Sequence, residues 1–273
     1  MTRRLMVSAG ALGIGGFAAA TRSIDILDIP APKADQRLPY GSDPLHFGDL
    51  RLPEKREHAP IVVFIHGGFW KAAYNLDHAG HLCAALTKAG AATWSLEYRR
   101  IGNPGGGWPG TFDDIRQGAS HVLELAGRYK LDANRVVVAG HSAGGQLALW
   151  LASQQVLPLR GAVALAGVAD LKRAYQLRLS KGIVETLLGG SPETVPERYA
   201  EADPMERLPI QTPQRLVHGT SDDVVPFEIA ERFARASKNA RLIPLQGAGH
   251  FELVDPRAPE WNTVSKAILD WRS

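Results

Sequence analysis

Residues 136–150 read VVVAGHSAGGQLALW, and the fold turns on how this stretch divides. Its opening is β-branched or small and apolar, which suits a strand buried on both faces, whereas AGGQLALW and the residues after it suit a helix. The strand therefore runs into the helix through one short corner, with Ser142 at its centre. Such a corner strains the backbone, pushes the serine out at the sheet edge, and sets the N–H of Ala143 at the helix N-terminus. It tolerates no bulk two positions to either side. Gly140 and Gly144 stand there, and Gly145 extends the clearance. A serine hydroxyl is a weak nucleophile at neutral pH and needs a base and a site for a developing oxyanion. Ser142 is the candidate nucleophile; a purely structural Gly/Ser turn is the competing reading.

Working outward, the chain alternates between strand and helix patterns. Upstream, IVVFIHGG (residues 61–68) is another continuous apolar run, expected as a central strand. A helix over residues 77–89, ended by Gly90, a strand in AATWSLEYR and helical periodicity over residues 111–129 follow. Downstream come GAVALAGVAD as a strand, a polar, proline-containing helical insertion at about residues 171–208, and RLVHGTSDDVVP as a strand and loop. FEIAERFARAS then reads as a helix, ARLIPLQGAGHF as a strand and loop, and APEWNTVSKAILDW as a closing helix. Residues 23–60 read as a lead-in with one or two edge strands. This order predicts an α/β fold, a mostly parallel central sheet with helices on both faces and active groups at the carboxyl ends of its strands.

With GHSAGG at the corner of strand and helix, the sequence resembles the α/β-hydrolase superfamily, in its esterase/lipase and kynurenine-formamidase-like branch. The resemblance covers roughly residues 45–271. It implies the α/β-hydrolase fold with a short cap insertion, which residues 171–208 would supply, and a triad ordered serine, acid, histidine. His250, in the Gly-rich loop of LQGAGHFELVDP, is the expected base, since an imidazole titrates near working pH. In relatives with an HGxxDxxVP stretch the acid is the fifth residue counted from the histidine, here Asp222; its neighbour Asp223 is the alternative. His218 is expected to pack or hydrogen-bond locally. HGGFW (residues 66–70) resembles the oxyanion loop of those relatives, so Gly68 and Phe69, joined by Ala143, are the expected backbone donors. It departs from the lipase form HGGG by carrying Phe69 where the third glycine stands, which leaves open whether two or three amides contribute. His66 is expected to brace this loop. Trp70 and Trp108 are candidate substrate-binding residues, with core packing as the alternative. Glu97, Tyr98, Asp113 and Asp114 fall in segments expected to hold loops near the site.

The chain has 273 residues, 45% hydrophobic and 22% charged, in the range of one globular domain. Residues 1–20, MTRRLMVSAGALGIGGFAAA, read as a cleaved export signal: two arginines, an uncharged apolar run shorter than a membrane-spanning helix needs, and an Ala-rich end. Paired Arg3 and Arg4 resemble a twin-arginine (Tat) signal, which predicts a periplasmic or extracellular protein, with a cytoplasmic one as the alternative. Losing these two arginines takes the formal charge from +3 to +1, so neither nucleic acid nor stable membrane insertion is expected. Cys83 is the single cysteine, placed on an apolar helix, and an inert buried thiol is expected. His78 and His81 have metal-ligand spacing but lack a third ligand, and a solvated helix face is expected. No phosphate loop, dinucleotide fingerprint or cysteine cluster occurs, so no cofactor is expected.

The residue types point to acyl transfer on a small-molecule ester or amide. A carboxylesterase for small or medium esters is the first reading. The alternatives are an arylformamidase-like amidase, suggested by HGGFW but opposed by the export signal, a small peptidase, and a binding protein without turnover.

Overall fold

The computed structural model describes residues 26–271; the export-signal expectation lies outside the described residues. Eight strands form one sheet in the order β1-β2-β4-β3-β5-β6-β7-β8. They are β1 (Gln36–Pro39), β2 (Phe47–Arg51), β3 (Ile61–Ile65), β4 (Ala92–Leu96), β5 (Val136–His141), β6 (Leu159–Leu165), β7 (Gln214–Gly219) and β8 (Ala240–Leu245). β2 pairs antiparallel with both β1 and β4, and every later pairing is parallel. The α/β-hydrolase expectation holds, with one refinement. β2 is no edge strand; it lies between β1 and β4 and is largely buried.

The unbroken apolar runs have a direct cause, because alternate side chains of one strand enter two different cores. Ile61, Val63 and Ile65 pack with Val136 and Val138 on one face, while Val62 and Phe64 pack with Val137 and Ala139 on the other. The first face is covered by α2 (Gly110–Ser120), α3 (Val122–Tyr129), α4 (Ala143–Gln154) and α8 (Glu228–Ala236). The second is covered by α1 (Gly80–Lys88), which follows a 3-10 turn at Leu76–Ala79, and by α9 (Trp261–Leu269). Cys83 lies in this second core, where burial pushes its thiol up to about 11, so it is inert. The periodic stretch 111–129 is two helices, divided at His121.

Between β6 and β7, residues 171–208 form α5 (Leu171–Gln176), α6 (Leu179–Leu188) and α7 (Pro196–Ala202). They lean on the elements expected to carry the site. Gln146 and Trp150 of α4 donate to the carbonyls of Ala202 and Glu201 at 2.8 and 2.9 Å. The Trp108 N–H donates to the Leu187 carbonyl at 2.8 Å, and Lys71 donates to Ser180 Oγ at 2.7 Å. Among the described residues no helix is long and apolar enough to cross a membrane.

Candidate active site

The elbow is built by close backbone approach. A Cβ on Gly144 would stand 2.0 Å from the Ile65 carbonyl oxygen, and one on Gly140 2.1 Å from that of Gly144. β3, β5 and α4 are in contact there, so no flexible side chain can yield. Gly144→Ala is expected to cost about 3 kcal/mol or more, the upper end of overpacking, and to lower the melting temperature by at least about 6 °C in a calorimetric scan. At the corner Ser142 adopts φ 56° and ψ −119°, a strained setting for a side-chain-bearing residue. It is held from its backbone: its N–H donates to Leu165 O at 2.8 Å, and its own carbonyl accepts from Gly145 at 2.9 Å. The hydroxyl stays out of this scaffolding.

His250 lies beside the elbow, its ring centroid 4.5 Å from that of His141. Its Nδ1 is 2.7 Å from Asp222 Oδ2. Facing a carboxylate, Nδ1 carries the ring proton, which leaves Nε2 bare and able to accept another. The other carboxylate oxygen, Oδ1, accepts the N–H groups of Val224 and Val225 at 2.9 and 2.8 Å. Burial pushes the Asp222 carboxyl up, but the hydrogen bonds from His218 and His250 outweigh it and hold the group well below the ordinary range. Asp222 buries its side chain completely, whereas Asp223 is exposed. His218 stays local, Nε2 against the Val225 carbonyl at 2.8 Å. The structure thus joins Asp222 to His250 and sets both beside the elbow. No hydrogen bond links Ser142 Oγ to the imidazole, a contact that commonly closes only around substrate.

The HGGFW loop reaches the serine through Gly67, whose Cβ would lie 3.1 Å from Ser142 Cβ. Gly68, Phe69 and Trp70 have φ of 109°, 49° and 55°, so the turn that reorients the loop amides is carried by two bulky residues as well as a glycine. Among the described residues, the N–H groups of Gly68, Phe69 and Ala143 have no protein acceptor. The loop is braced by His66, with Nδ1 2.8 Å from the Gly67 carbonyl and Nε2 3.2 Å from Glu97 Oε1. Glu97 also accepts from the N–H groups of Leu76 and Tyr98 and pairs with Arg100 at 2.8 Å. Burial raises its carboxyl, and the His66 and Arg100 interactions more than reverse that. Asp114 likewise ties Arg99 and His46, whereas among the described residues the Asp113 side chain makes only an exposed pair with Arg116.

Two further expectations need correction. Trp70 is fully buried and donates its indole N–H to Gln146 Oε1 at 3.1 Å, so it lines no open pocket. It supports the loop from beneath, while Trp108 keeps a partly exposed position, edge-on to Phe112 at 5.0 Å. His78 does not simply face solvent either; it is half-buried, with its Nε2 2.8 Å from His141 Nδ1. Among the described residues no group of three or more His, Cys, Asp or Glu side chains is placed to hold a metal ion.

The family model BD-FAE matches residues 49–236, which include the HGGFW loop, the elbow and the Asp222 loop. The chain belongs to the BD-FAE family. This is an α/β-hydrolase esterase family. Among curated relatives, a probable isoprenylcysteine alpha-carbonyl methylesterase of Oryza sativa subsp. japonica is 28% identical over 244 residues, covering 80% of this chain and 58% of its own. Esterase LipC of Mycobacterium tuberculosis is 27% identical over 260 residues, covering 81% of this chain and 60% of its own. The BD-FAE chain therefore spans 58–60% of the length of these two relatives. A truncated form of a carbohydrate esterase from gut microbiota superposes with a TM-score of 0.70 at 21% identity, covering 87% of this chain and 98% of that one. A thermophilic esterase of Thermogutta terrifontis gives 0.68 at 20% identity, covering 85% and 89%. These two superpositions establish the fold.

Proposed function

We propose that this chain is a serine carboxylic ester hydrolase working through an acyl-enzyme. The observation that carries the reading is the Asp222–His250 hydrogen bond beside the strained Ser142. In this mechanism the bare Nε2 of His250 takes the Ser142 proton as Oγ attacks the ester carbonyl. The N–H groups of Gly68, Phe69 and Ala143 hold the oxyanion, and the imidazolium, stabilised by Asp222, protonates the departing alkoxide. Water then attacks the acyl-serine by the same route and releases the acid. The relatives named as esterases support ester over amide chemistry.

The decisive assay follows a chain-length series of p-nitrophenyl esters, with N-formylkynurenine alongside. Ester turnover with a weak formyl-amide rate is expected; a dominant formyl-amide rate would transfer the protein to the formamidase reading. Residues 171–208 are proposed as the cap that shapes the substrate pocket, supported by their contacts to Trp108 and Lys71. Exchanging them for a relative's segment should shift the chain-length optimum while phosphonate labelling of Ser142 changes by less than about threefold, a loss too small to signal a misplaced triad. Equal loss of both would show that the segment merely supports the fold. Export belongs to the same proposal, supported by the pattern of residues 1–20. Replacing Arg3 and Arg4 by lysine should retain the protein in the cytoplasm, which fractionation detects.

A further inference from the structure

Three histidines from three separate elements stand in line behind the elbow. His78 belongs to the 3-10 turn that follows the oxyanion loop, His141 ends β5 next to Ser142, and His250 sits on the loop after β8. His141 Nε2 is 3.0 Å from the backbone carbonyl oxygen of His250. A carbonyl only accepts, so His141 carries its proton on Nε2, and its Nδ1 is then an acceptor. His78 Nε2, 2.8 Å from that Nδ1, must be the next donor. The chain of hydrogen bonds thus runs one way, from His78 through His141 to the carbonyl of His250. The rings reinforce it: His78 and His141 stack at 5.0 Å, and Phe251 packs edge-on against His250 at 5.1 Å.

This arrangement requires a neutral His141, since a proton on its Nδ1 would oppose the His78 donor. Burial lowers the basicity of both rings, assisted by His66 and His250 beside His78 and by His250 and His78 beside His141. The hydrogen bond to the His250 carbonyl and, after it, Asp222 act the other way on His141. Burial thus favours the uncharged ring at both positions.

We infer that His78 and His141 are positioning residues: by holding the His250 carbonyl they fix where the imidazole of His250 stands relative to Ser142. The inference rests on the reading of His250 as the base. Asp222 fixes the tautomer and tilt of the ring at Nδ1, but nothing on Asp222 sets how far the loop carrying His250 stands from β5. The His141 bond does. Misplacing a catalytic group by about 1 Å costs on the order of 100-fold in rate, so the effect should appear in kcat and spare KM.

His78 also lines a surface cavity of about 660 Å³, together with Tyr74, Asn75 and Asp77. Its place is thus reachable by a small molecule from solution, whereas that of fully buried His141 is not. The experiment compares His78→Ala, His141→Leu and His141→Gln with the parent on its best p-nitrophenyl ester. Melting temperatures and the low-field NMR signal of the His250 Nδ1 proton are followed in parallel. His141→Leu should lower kcat by about 100-fold with KM within about twofold, and His141→Gln, whose amide can still donate to the His250 carbonyl, should recover most of it. His78→Ala should lose about tenfold, a part of the same misplacement cost, and regain it with added imidazole. The low-field signal should broaden by exchange in both loss variants. Rates and signal unchanged from the parent, or no rescue by glutamine and imidazole, would overturn the inference and leave the esterase reading intact. A parent without ester turnover, whose low-field signal nevertheless broadens in His141→Leu, would overturn the esterase reading and uphold the positioning role.

Discussion

Ser142→Ala is expected to lower kcat/KM on the preferred ester by about 10⁴-fold or more while leaving the melting temperature nearly unchanged. The two halves of this outcome have separate causes. The hydroxyl is the only group at the corner that can form the acyl-enzyme, so its removal leaves whatever the amides and substrate binding achieve with water alone. Stability should survive because the scaffold uses Ser142 through its backbone. The N–H bonds Leu165, the carbonyl takes the Gly145 N–H, and among the described residues no hydrogen bond of the side chain supports the fold. Alanine also pays the same backbone strain at φ 56° that serine already pays. Initial rates, fluorophosphonate labelling and a thermal scan on one preparation test all of this. More than about 1% residual turnover, or unchanged labelling, would place the nucleophile elsewhere, since loss of the attacking group leaves far less.

Much of this site was legible in the sequence, for reasons that are local. The strand–corner–helix reading of residues 136–150 works because each strand residue feeds one of two cores, and because Gly140 and Gly144 admit carbonyls at distances no Cβ would allow. The spacing from His218 to Asp222 is equally local, since the two backbone N–H groups that hold Asp222 belong to Val224 and Val225 of the same loop. What escaped depends on partners far along the chain. Trp70 reads as a pocket residue until Gln146, 76 positions away, is seen to bond its indole. His78 reads, with His81, as part of a solvated helix face, yet its partner is His141, 63 positions away, and His81 faces the Ile29 carbonyl. β2 reads as an edge because strand order is not written in strand sequence; only its pairing with β4 moves it inward. The left-handed run at Ser180, Lys181 and Gly182 inside α6 has only Gly182 to signal it, and two side-chain-bearing residues share the turn.

The contrast between adjacent carboxylates is sharper than either variant alone. Asp222→Asn should lower kcat by about 10⁴-fold, because an amide presenting N–H to His250 Nδ1 favours the wrong tautomer and cannot stabilise the imidazolium. Asp223→Asn, at an exposed position, should stay within about twofold of the parent, as surface substitutions away from a site do. A larger loss at Asp223 would reverse the assignment of the acid. Stability supplies an independent arm with a definite sign. The Asp222 carboxyl is held below its unfolded value of about 3.9, so the folded state is favoured by its ionisation above that value, and this contribution is lost as pH falls toward the lower folded value. The stability gap between parent and Asp222→Asn, followed by urea unfolding, should therefore be constant from about pH 7 to 5 and narrow below about pH 4.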